Sequence, residues 1–532
     1  MDIDVSYVLM LGVLCVSLGL SFVVYFLLVG GFSYLISFSF LSTMGCYWLI
    51  NFDFDVVTFG LLVMLLTCFF YVYYYTGHYF GGDYVGFMLL KLIVLFVSIM
   101  GVLVCSGDYL FTLILWEYLG VVSFFLILFY GSFLSLRSSI VTLVSSRFGD
   151  VCLFVLIGLS YYIDSGWFPW LVCFFLVVFS KSAGYPFISW LLEAMRAPTP
   201  VSSLVHSSTL VAAGVWFVMR YDYLLHFGSS VVIFSIMLLL TVFITGVSSF
   251  FFFDLKKIVA LSTCNNISWC VLYLIFGDVM LSLFQLVSHG VSKCVLFMLV
   301  GDVMSGSGGS QASNCVYSSV LYGSWNLFGL FAVVLGLSGV PFIGVFFTKH
   351  FLLVNFVGVV INVVVGLVVS VCVFLSYVYS FRLCMILYNS KSSLSYGVLF
   401  YFGSGLVVYC WLFVNFYLFL LLDEVNYLVV VCSVSLVFVQ FLAFWLSVMF
   451  YDSMVFGWWS GSLFGCDNLV EWFYEVFYGG LYVINFFFFR WDYLVLGLFY
   501  GVGRISSSVY DWVMLNIFLF GVFGLFIYIL VA

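Results

Sequence analysis

Apolar residues run along this chain in long unbroken blocks rather than in stripes. Residues 354–377 form one such block, apolar on every side of any helix drawn through it. A membrane barrel would show ten-residue segments of alternating hydrophobicity instead. A helical span needs about 20 apolar residues, or roughly 30 to 35 with its share of loop. The pattern therefore predicts about sixteen membrane-spanning helices. They fall near residues 5–28, 32–50, 57–75, 88–105, 109–130, 138–162, 168–194, 199–219, 230–251, 257–276, 280–303, 324–353, 356–379, 396–421, 427–450 and 509–531. Between the last two, residues 453–508 mix aromatics with Asp467, Glu471, Glu475, Arg490, Asp492 and Arg504. That mixture predicts a long amphipathic helix lying along the membrane surface. The Gly/Ser-rich stretch 305–313 reads as a connecting loop.

Composition agrees with the blocks. Of 532 residues, 66% are hydrophobic and only 7% charged, too few charges to cover a water-facing surface of this size. A soluble enzyme is excluded, and so is disorder. The net charge of −8 excludes a nucleic-acid partner. The fold class is an all-α polytopic membrane protein. The 15 cysteines form no CxxC pair and no Cys/His cluster, so they read as packing thiols, with no metal or iron–sulfur site. Met1-Asp-Ile-Asp4 leads directly into 5–28, with neither a basic n-region nor an Arg-rich transit pattern, so that stretch is expected to be the first span. With 67 Phe and 37 Tyr beside 5 Pro, the composition is what T-rich codons yield and suggests an organelle genome.

Charge then orients the spans. Of the 14 Lys and Arg, Lys91, Arg137, Arg147, Arg196, Lys256, Lys257, Arg382, Lys391, Arg490 and Arg504 fall on one face, and Arg220 alone on the other. The acidic side chains Asp2, Asp4, Asp53, Asp55, Asp108, Asp164, Asp222, Asp278, Asp423 and Glu424 lie opposite. The positive face is the matrix of a mitochondrion or the cytoplasm of a bacterium.

Charges inside the spans remain, and each costs about 2.5–3.5 kcal/mol on insertion scales. Glu117 lies in the fifth span, Lys181 in the seventh, Lys293 in the eleventh and Lys349 in the twelfth. Lys181 is followed by Gly184-Tyr-Pro186, and Lys349 is preceded by Gly339-Val-Pro341, so the seventh and twelfth helices are expected to break beside their lysines. A broken helix beside a charge in each half points to paired ion sites in a repeat-built transporter. Spacing gives two inverted five-helix repeats, spans 4–8 and 9–13. The expected units are three N-terminal helices (1–85), the two repeats (86–225 and 226–380), helices 14–15 (381–452), the lateral helix (453–508) and a final anchoring helix (509–532).

Gln285, His289 and Lys293 recur every fourth residue and stack along one helix face. His206, followed by Ser207, Ser208 and Thr209, adds a neutral proton acceptor and hydroxyls. Carboxylate, lysine, histidine and hydroxyl together form a proton wire that needs no metal or cofactor. A carboxylate close to a buried lysine favours the ammonium, and separation lets desolvation favour the amine. Changing the Glu117–Lys181 distance would therefore move protons, provided that energy comes from outside the chain.

These residues carry a family resemblance. The stretches 180–190 (SKSAGYPFISW) and 197–209 (APTPVSSLVHSST), with Asp254-Leu-Lys-Lys-Ile258, Ser262-Thr263, Ser288-His289, Lys293 and Trp116-Glu117, closely resemble the proton-pumping NADH:ubiquinone oxidoreductase membrane family. The His-Ser-Ser-Thr element and the C-terminal extension resemble its distal antiporter-like branch, the chain 5 type. The resemblance implies a proton channel driven by redox chemistry in other subunits, which would hold the NADH, FMN, iron–sulfur and ubiquinone sites. This chain would act as a subunit of that enzyme with no cofactor of its own. Its partners would be other membrane-arm subunits, above all a neighbouring antiporter-like subunit, and lipids. Its place would be the mitochondrial inner membrane, or a bacterial plasma membrane.

Residue by residue, Glu117, Lys181, His206, His289, Lys293 and Lys349 match the family's proton-path positions, and Arg147 with Asp150 matches a polar pair near the positive face. Two positions depart. Gln285 stands where histidine is usual and cannot titrate, and His350 stands where an aspartate follows the lysine. The second departure predicts an altered exit or a compensating carboxylate. A cation/proton antiporter subunit and a plain membrane scaffold are the competing readings.

Overall fold

A computed structural model describes residues 33–43, 46–160, 168–222, 230–276, 279–319, 323–339, most of 345–353, 363–388, 391–393, 430–451 and 467–503, with residue 521. The expected spans at 5–28, 396–421 and 509–531 lie outside the described residues. Two compact units divide the chain at residue 466.

The larger unit opens with a departure from the expected second span. The described residues of 32–50 contribute to an antiparallel hairpin, β1 (Tyr34–Thr43) paired with β2 (Cys46–Phe54), and not to a helix. The local reason lies in residues 36–40, where Ser37 and Ser39 alternate with Ile36, Phe38 and Phe40. A period of two suits a strand and gives a helix no coherent face.

Helices follow in nearly unbroken order. They are α1 (Val56–Tyr79), α2 (Tyr84–Cys105), α3 (Tyr109–Leu128), α4 (Phe133–Ser160), α5 (Phe168–Ser182), α6 (Ile188–Ala194) and α7 (Thr199–Arg220). After them come α8 (Ser230–Phe251), α9 (Leu255–Phe276), α10 (Val279–Gly306), α11 (Gly323–Ser338), α12 (Val363–Tyr388) and α13 (Val430–Tyr451). A short parallel pair, β3 (Tyr317–Ser319) with β4 (Lys391–Ser393), links two connections. Among the described residues, nine helices are long and apolar enough to cross a membrane. The chain is a multi-pass membrane protein.

Burial sorts these helices into two kinds. Along α7, α9 and α10 nearly every side chain is buried, whereas α2, α4 and α8 leave apolar side chains such as Phe87, Phe154 and Ile236 exposed. The outer helices meet lipid with apolar groups, and the inner ones are free to carry polar groups enclosed by protein.

Two breaks interrupt the inner layer as the prolines predict. After α5, Ala183 adopts a left-handed φ of 55° before the chain resumes as α6. After α11, Gly339 turns with φ 84°, where a side chain would meet the backbone of Phe346. A third irregularity lies outside the sequence expectations: Val205–Thr209 in α7 forms a π-helical turn. Such turns shift the register of the ladder and recur at functional sites.

The smaller unit holds α14 (Asp467–Gly503), one helix of 37 residues with exposed aromatics such as Tyr482 and Phe489. Asp467–Gly503 falls within the expected 453–508, whose remaining residues lie outside the described ones.

Candidate functional site

Three clusters of ionisable side chains lie within the larger unit. The first gathers around Lys181, which lies at the end of α5 beside the break and is fully buried. Its Nζ lies 3.8 Å from Asp150 Oδ1 and 5.3 Å from the centre of the Trp116 ring. Gly149 lets α4 and α5 approach closely, since a Cβ there would collide with Ser180 Oγ, and Lys181 Nζ lies 3.9 Å from the Cβ position of Gly120 on α3. The lysine thus threads between α3 and α4.

This arrangement corrects the expected Glu117–Lys181 pair. Glu117 instead forms an ion pair with Arg147, and both side chains stay partly exposed, at 36% and 40%. Asp150, at 4% exposure, is the carboxylate beside Lys181, and Arg147 bridges the two acids at 3.5 Å from Asp150. The Arg147–Asp150 pair expected near the positive face is therefore part of the lysine's own surroundings. On a helix apolar all round, periodicity does not reveal which face turns inward, and Glu117 lies on the rim.

The second cluster lies on α10. Gln285, His289 and Lys293 share one buried face as their spacing predicts. Lys293 Nζ donates to Ser262 Oγ on α9. Opposite stands the π-helical turn with His206, Ser207, Ser208 and Thr209, all buried. Both ring nitrogens of His206 and of His289 are buried without a protein hydrogen-bond partner. A polar atom enclosed this way costs roughly 1–3 kcal/mol unless water reaches it. Water reaching these nitrogens would remove that cost.

The third cluster surrounds Lys349. Its Nζ donates to the Ser338 carbonyl and to Ser376 Oγ, each at 2.7 Å, and sits 4.4 Å from the centre of the Tyr377 ring. The Ser338 carbonyl is one that the break in the helix has released. Gly339, next along, has its carbonyl met by Gln440 Nε2 at 2.7 Å and by the Tyr377 hydroxyl at 3.4 Å. The break survives because side chains satisfy what the helix no longer does. Among the described residues, the hydrogen-bond partners of Lys349 are neutral. His350 is buried one position on, beside Phe346.

Protein groups join the clusters. Gln285 Oε1 accepts a hydrogen bond from Thr348 at 2.9 Å, which ties α10 to the half-helix of Lys349. Cys264 on α9 donates to the Ala183 carbonyl at 2.9 Å, two residues past Lys181. Gly214 packs α7 onto the same break, since a Cβ there would lie 3.0 Å from the Ser182 nitrogen. Helix α9 thus touches the first break through Cys264 and Lys293 through Ser262.

Sequence reasoning missed several partners. Ser376 and Gln440 are single polar residues in apolar runs, and Thr348 is signalled by its place directly before Lys349. Asn265 gave a clearer one beside Asn266: its Nδ2 donates to the Val242 carbonyl at 3.0 Å, and its Oδ1 accepts from Trp269 at 3.0 Å, knitting α8 to α9.

Residues 106–376, just over half the chain, match the family model described as NADH:quinone oxidoreductase/Mrp antiporter, TM. The chain belongs to this family. The lysines, histidines and carboxylates of all three clusters fall inside the matched residues, and Tyr377 and Gln440 lie beyond them. The chain is 35% identical over 296 residues to NADH-ubiquinone oxidoreductase chain 5 of Ascaris suum, covering 54% of this chain and 52% of that one. It is 33% identical to the chain 5 of Caenorhabditis elegans, over 63% of this chain and 64% of that one. The matches thus span about half to under two thirds of those relatives' own lengths. In fold, the chain is similar to a structure of the Mrp complex from Dietzia sp. DQ12-45-1b, with a TM-score of 0.67 at 19% identity over 95% of this chain and 62% of that chain. It is also similar to the archaeal membrane-bound sulfane sulfur reductase, with a TM-score of 0.62 at 16% identity over 84% of this chain and 95% of that one. The antiporter-type architecture expected from the broken helices is therefore the fold the chain has.

Proposed function

We propose that this chain is the proton-translocating, chain 5 subunit of NADH:ubiquinone oxidoreductase in the mitochondrial inner membrane. The observation that carries the reading is the file of buried bases. Lys181, Lys293 and Lys349 are enclosed within the membrane-spanning bundle, with His206 and His289 beside the middle one. Enclosed cations are expensive unless they are used. The proton path would run through Lys181 with Asp150, then His206, His289 and Lys293, then Gln285 and Thr348 to Lys349. Gln285 does not titrate, and hydrogen-bonded water passes the proton there. Electron transfer in partner subunits, which would hold NADH, FMN, the iron–sulfur clusters and ubiquinone, supplies the energy; this chain needs no cofactor.

The half-exposed Glu117–Arg147 pair supports a neighbouring antiporter-like subunit as the partner on that side. An ion pair at this depth cannot face acyl chains cheaply, so a polar protein surface with water at the interface would cover it. Lipids would cover the apolar remainder. At Lys349 the neutral partners favour an altered exit over a compensating carboxylate.

The test is NADH-driven proton uptake by vesicles holding the intact complex. Lys293→Ala and Lys349→Ala are expected to lower proton flux at least tenfold, a positioned proton-transfer group contributing about 100-fold or more, with assembly retained. Wild-type flux in both would overturn the reading. The fold likeness to the Mrp complex favours cation/proton antiport as the second reading. Transport driven by a sodium gradient, with no flavin or iron–sulfur spectrum in the purified complex, would establish it instead.

A further inference from the structure

Toward the positive face the structure holds a group of titratable side chains that the sequence reading did not single out. Asp302 lies one turn from the end of α10 and is 2% exposed, and its Oδ1 stands 3.6 Å from His78 Nε2. His78, in the last turn of α1, is 30% exposed. The Tyr75 hydroxyl faces both Asp302 and Thr199, at the start of α7. Gly301 admits it: a Cβ there would lie 2.6 Å from that hydroxyl and 3.3 Å from Thr199 Cβ. Tyr79 lies beside Tyr75, the rings tilted by 40° with 5.9 Å between their centres. A partly exposed imidazole therefore shields a buried carboxylate, which is the order that exchange of a proton with bulk water requires.

The same group opens onto a polar seam. Helices α7 and α10 run antiparallel, and their contacts step inward in register. Thr199 meets Gly301, Ser203 faces Cys294, and Ser208 lies 3.4 Å from the Cβ position of Gly290. Along this seam Thr199, Ser202, Ser203, His206, Ser207, Ser208 and Thr209 are all buried. Most of these hydroxyls donate to carbonyls of their own helix, as Ser202 does to Thr199 at 2.9 Å and Ser203 to Pro200 at 2.8 Å. A hydroxyl bonded in this way keeps lone pairs with which it can accept from a proton carrier or water. The seam ends beside His289 and Lys293. Apolar packing between two buried helices would not need hydroxyls at successive turns.

We propose that His78 and Asp302, with Tyr75 and Thr199, form the proton inlet of this chain, and that the α7–α10 seam conducts protons from it to His206, His289 and Lys293. Bulk water protonates His78 Nε2. The imidazolium passes that proton to the Asp302 carboxylate, directly or through one water, and returns to neutral. Asp302 then releases it into the seam. No bond other than those to hydrogen changes.

The inference rests on the proton-pumping reading, and its test separates the two. NADH-driven proton flux is measured in vesicles of the intact complex carrying Asp302→Asn, Asp302→Glu, His78→Ala or Lys293→Ala, with complex abundance measured in each. Asp302→Asn, close to isosteric, is expected to lower flux at least tenfold, a positioned proton-transfer group contributing about 100-fold or more, while Asp302→Glu recovers most of it. His78→Ala is expected to lower flux several-fold and to regain it when imidazole is added on the positive face. A merely structural histidine would show no such rescue. Normal flux in Asp302→Asn beside lost flux in Lys293→Ala would overturn the inlet and leave the pumping reading standing. Loss of flux in His78→Ala and Asp302→Asn that neither imidazole nor Asp302→Glu restores would also overturn the inlet. Normal flux in Lys293→Ala would overturn the pumping reading itself.

Discussion

Asp150→Asn and Glu117→Gln distinguish two carboxylates that sit in neighbouring helices and pair with different cations. At 3.8 Å, the Asp150–Lys181 attraction amounts to about 4 kcal/mol with an effective dielectric constant of 20. Neither side chain is more than 4% exposed, so water screens little of it. Asparagine keeps the shape and removes the charge. The Glu117–Arg147 pair is more than one-third exposed on both sides, and a pair so placed contributes about 1 kcal/mol or less. The assay is proton uptake by vesicles of the assembled complex at fixed NADH oxidation rate. Asp150→Asn should lower the protons moved per NADH at least tenfold, close to the effect of Lys181→Ala. Glu117→Gln should lower it by no more than about fivefold, the equivalent of that 1 kcal/mol. The reverse order, with uptake lost in Glu117→Gln and normal in Asp150→Asn, would refute the pairing and restore Glu117 as the partner of Lys181.

Other outcomes follow from packing and hydrogen bonding. Gly149→Val places a branched side chain where Ser180 Oγ already lies; overpacking of about 1–3 kcal/mol should reduce the amount of assembled complex, read on native gels. Ser376→Ala removes one of the two hydrogen bonds of Lys349, a loss of about 1.5–3 kcal/mol, and flux should fall while assembly is kept. Arg220→Ala frees the hairpin: its guanidinium holds Asp55 Oδ2 at 2.7 Å and the Asp53 carbonyl at 2.9 Å. A cost of about 2 kcal/mol should appear as faster protease cleavage within 34–54, and unchanged cleavage would contradict it.

Much of the architecture is legible in the sequence because lipid allows few alternatives. Long apolar runs correspond to α1 to α4 and α8 to α10 with ends displaced by a few residues, and the glycines and prolines beside Lys181 and Lys349 locate the breaks. The i, i+4, i+8 spacing puts Gln285, His289 and Lys293 on one face, as the structure does. Partners across helices are not legible. Asp150 reaches Lys181 from another helix, and nothing local distinguishes it from Glu117. Arg220 reads as a lone charge on the wrong face, yet it closes the hairpin onto α7. The hairpin is hidden because a short apolar run reads as a span unless the serine alternation at 36–40 is weighed above hydropathy. The π-helical turn at Val205–Thr209 has no composition that announces it. Asp302 sits near the end of its span, where an acidic residue looks like ordinary boundary chemistry.

The Lys349 ammonium does two jobs at once: it carries a positive charge, and it fastens the loose end of α11 by donating to the Ser338 carbonyl. Occupancy by a hydrogen ion and tension in the backbone are then coupled quantities. When the ion departs, the remaining amine is a weaker donor, so the severed helix end slackens at the moment the cargo is handed on. A movement imposed on that end from elsewhere would, by reciprocity, loosen the cargo. On the proposed reading the fracture in the helix is a transducer, able to convert a push on that end into a change in who holds the charge.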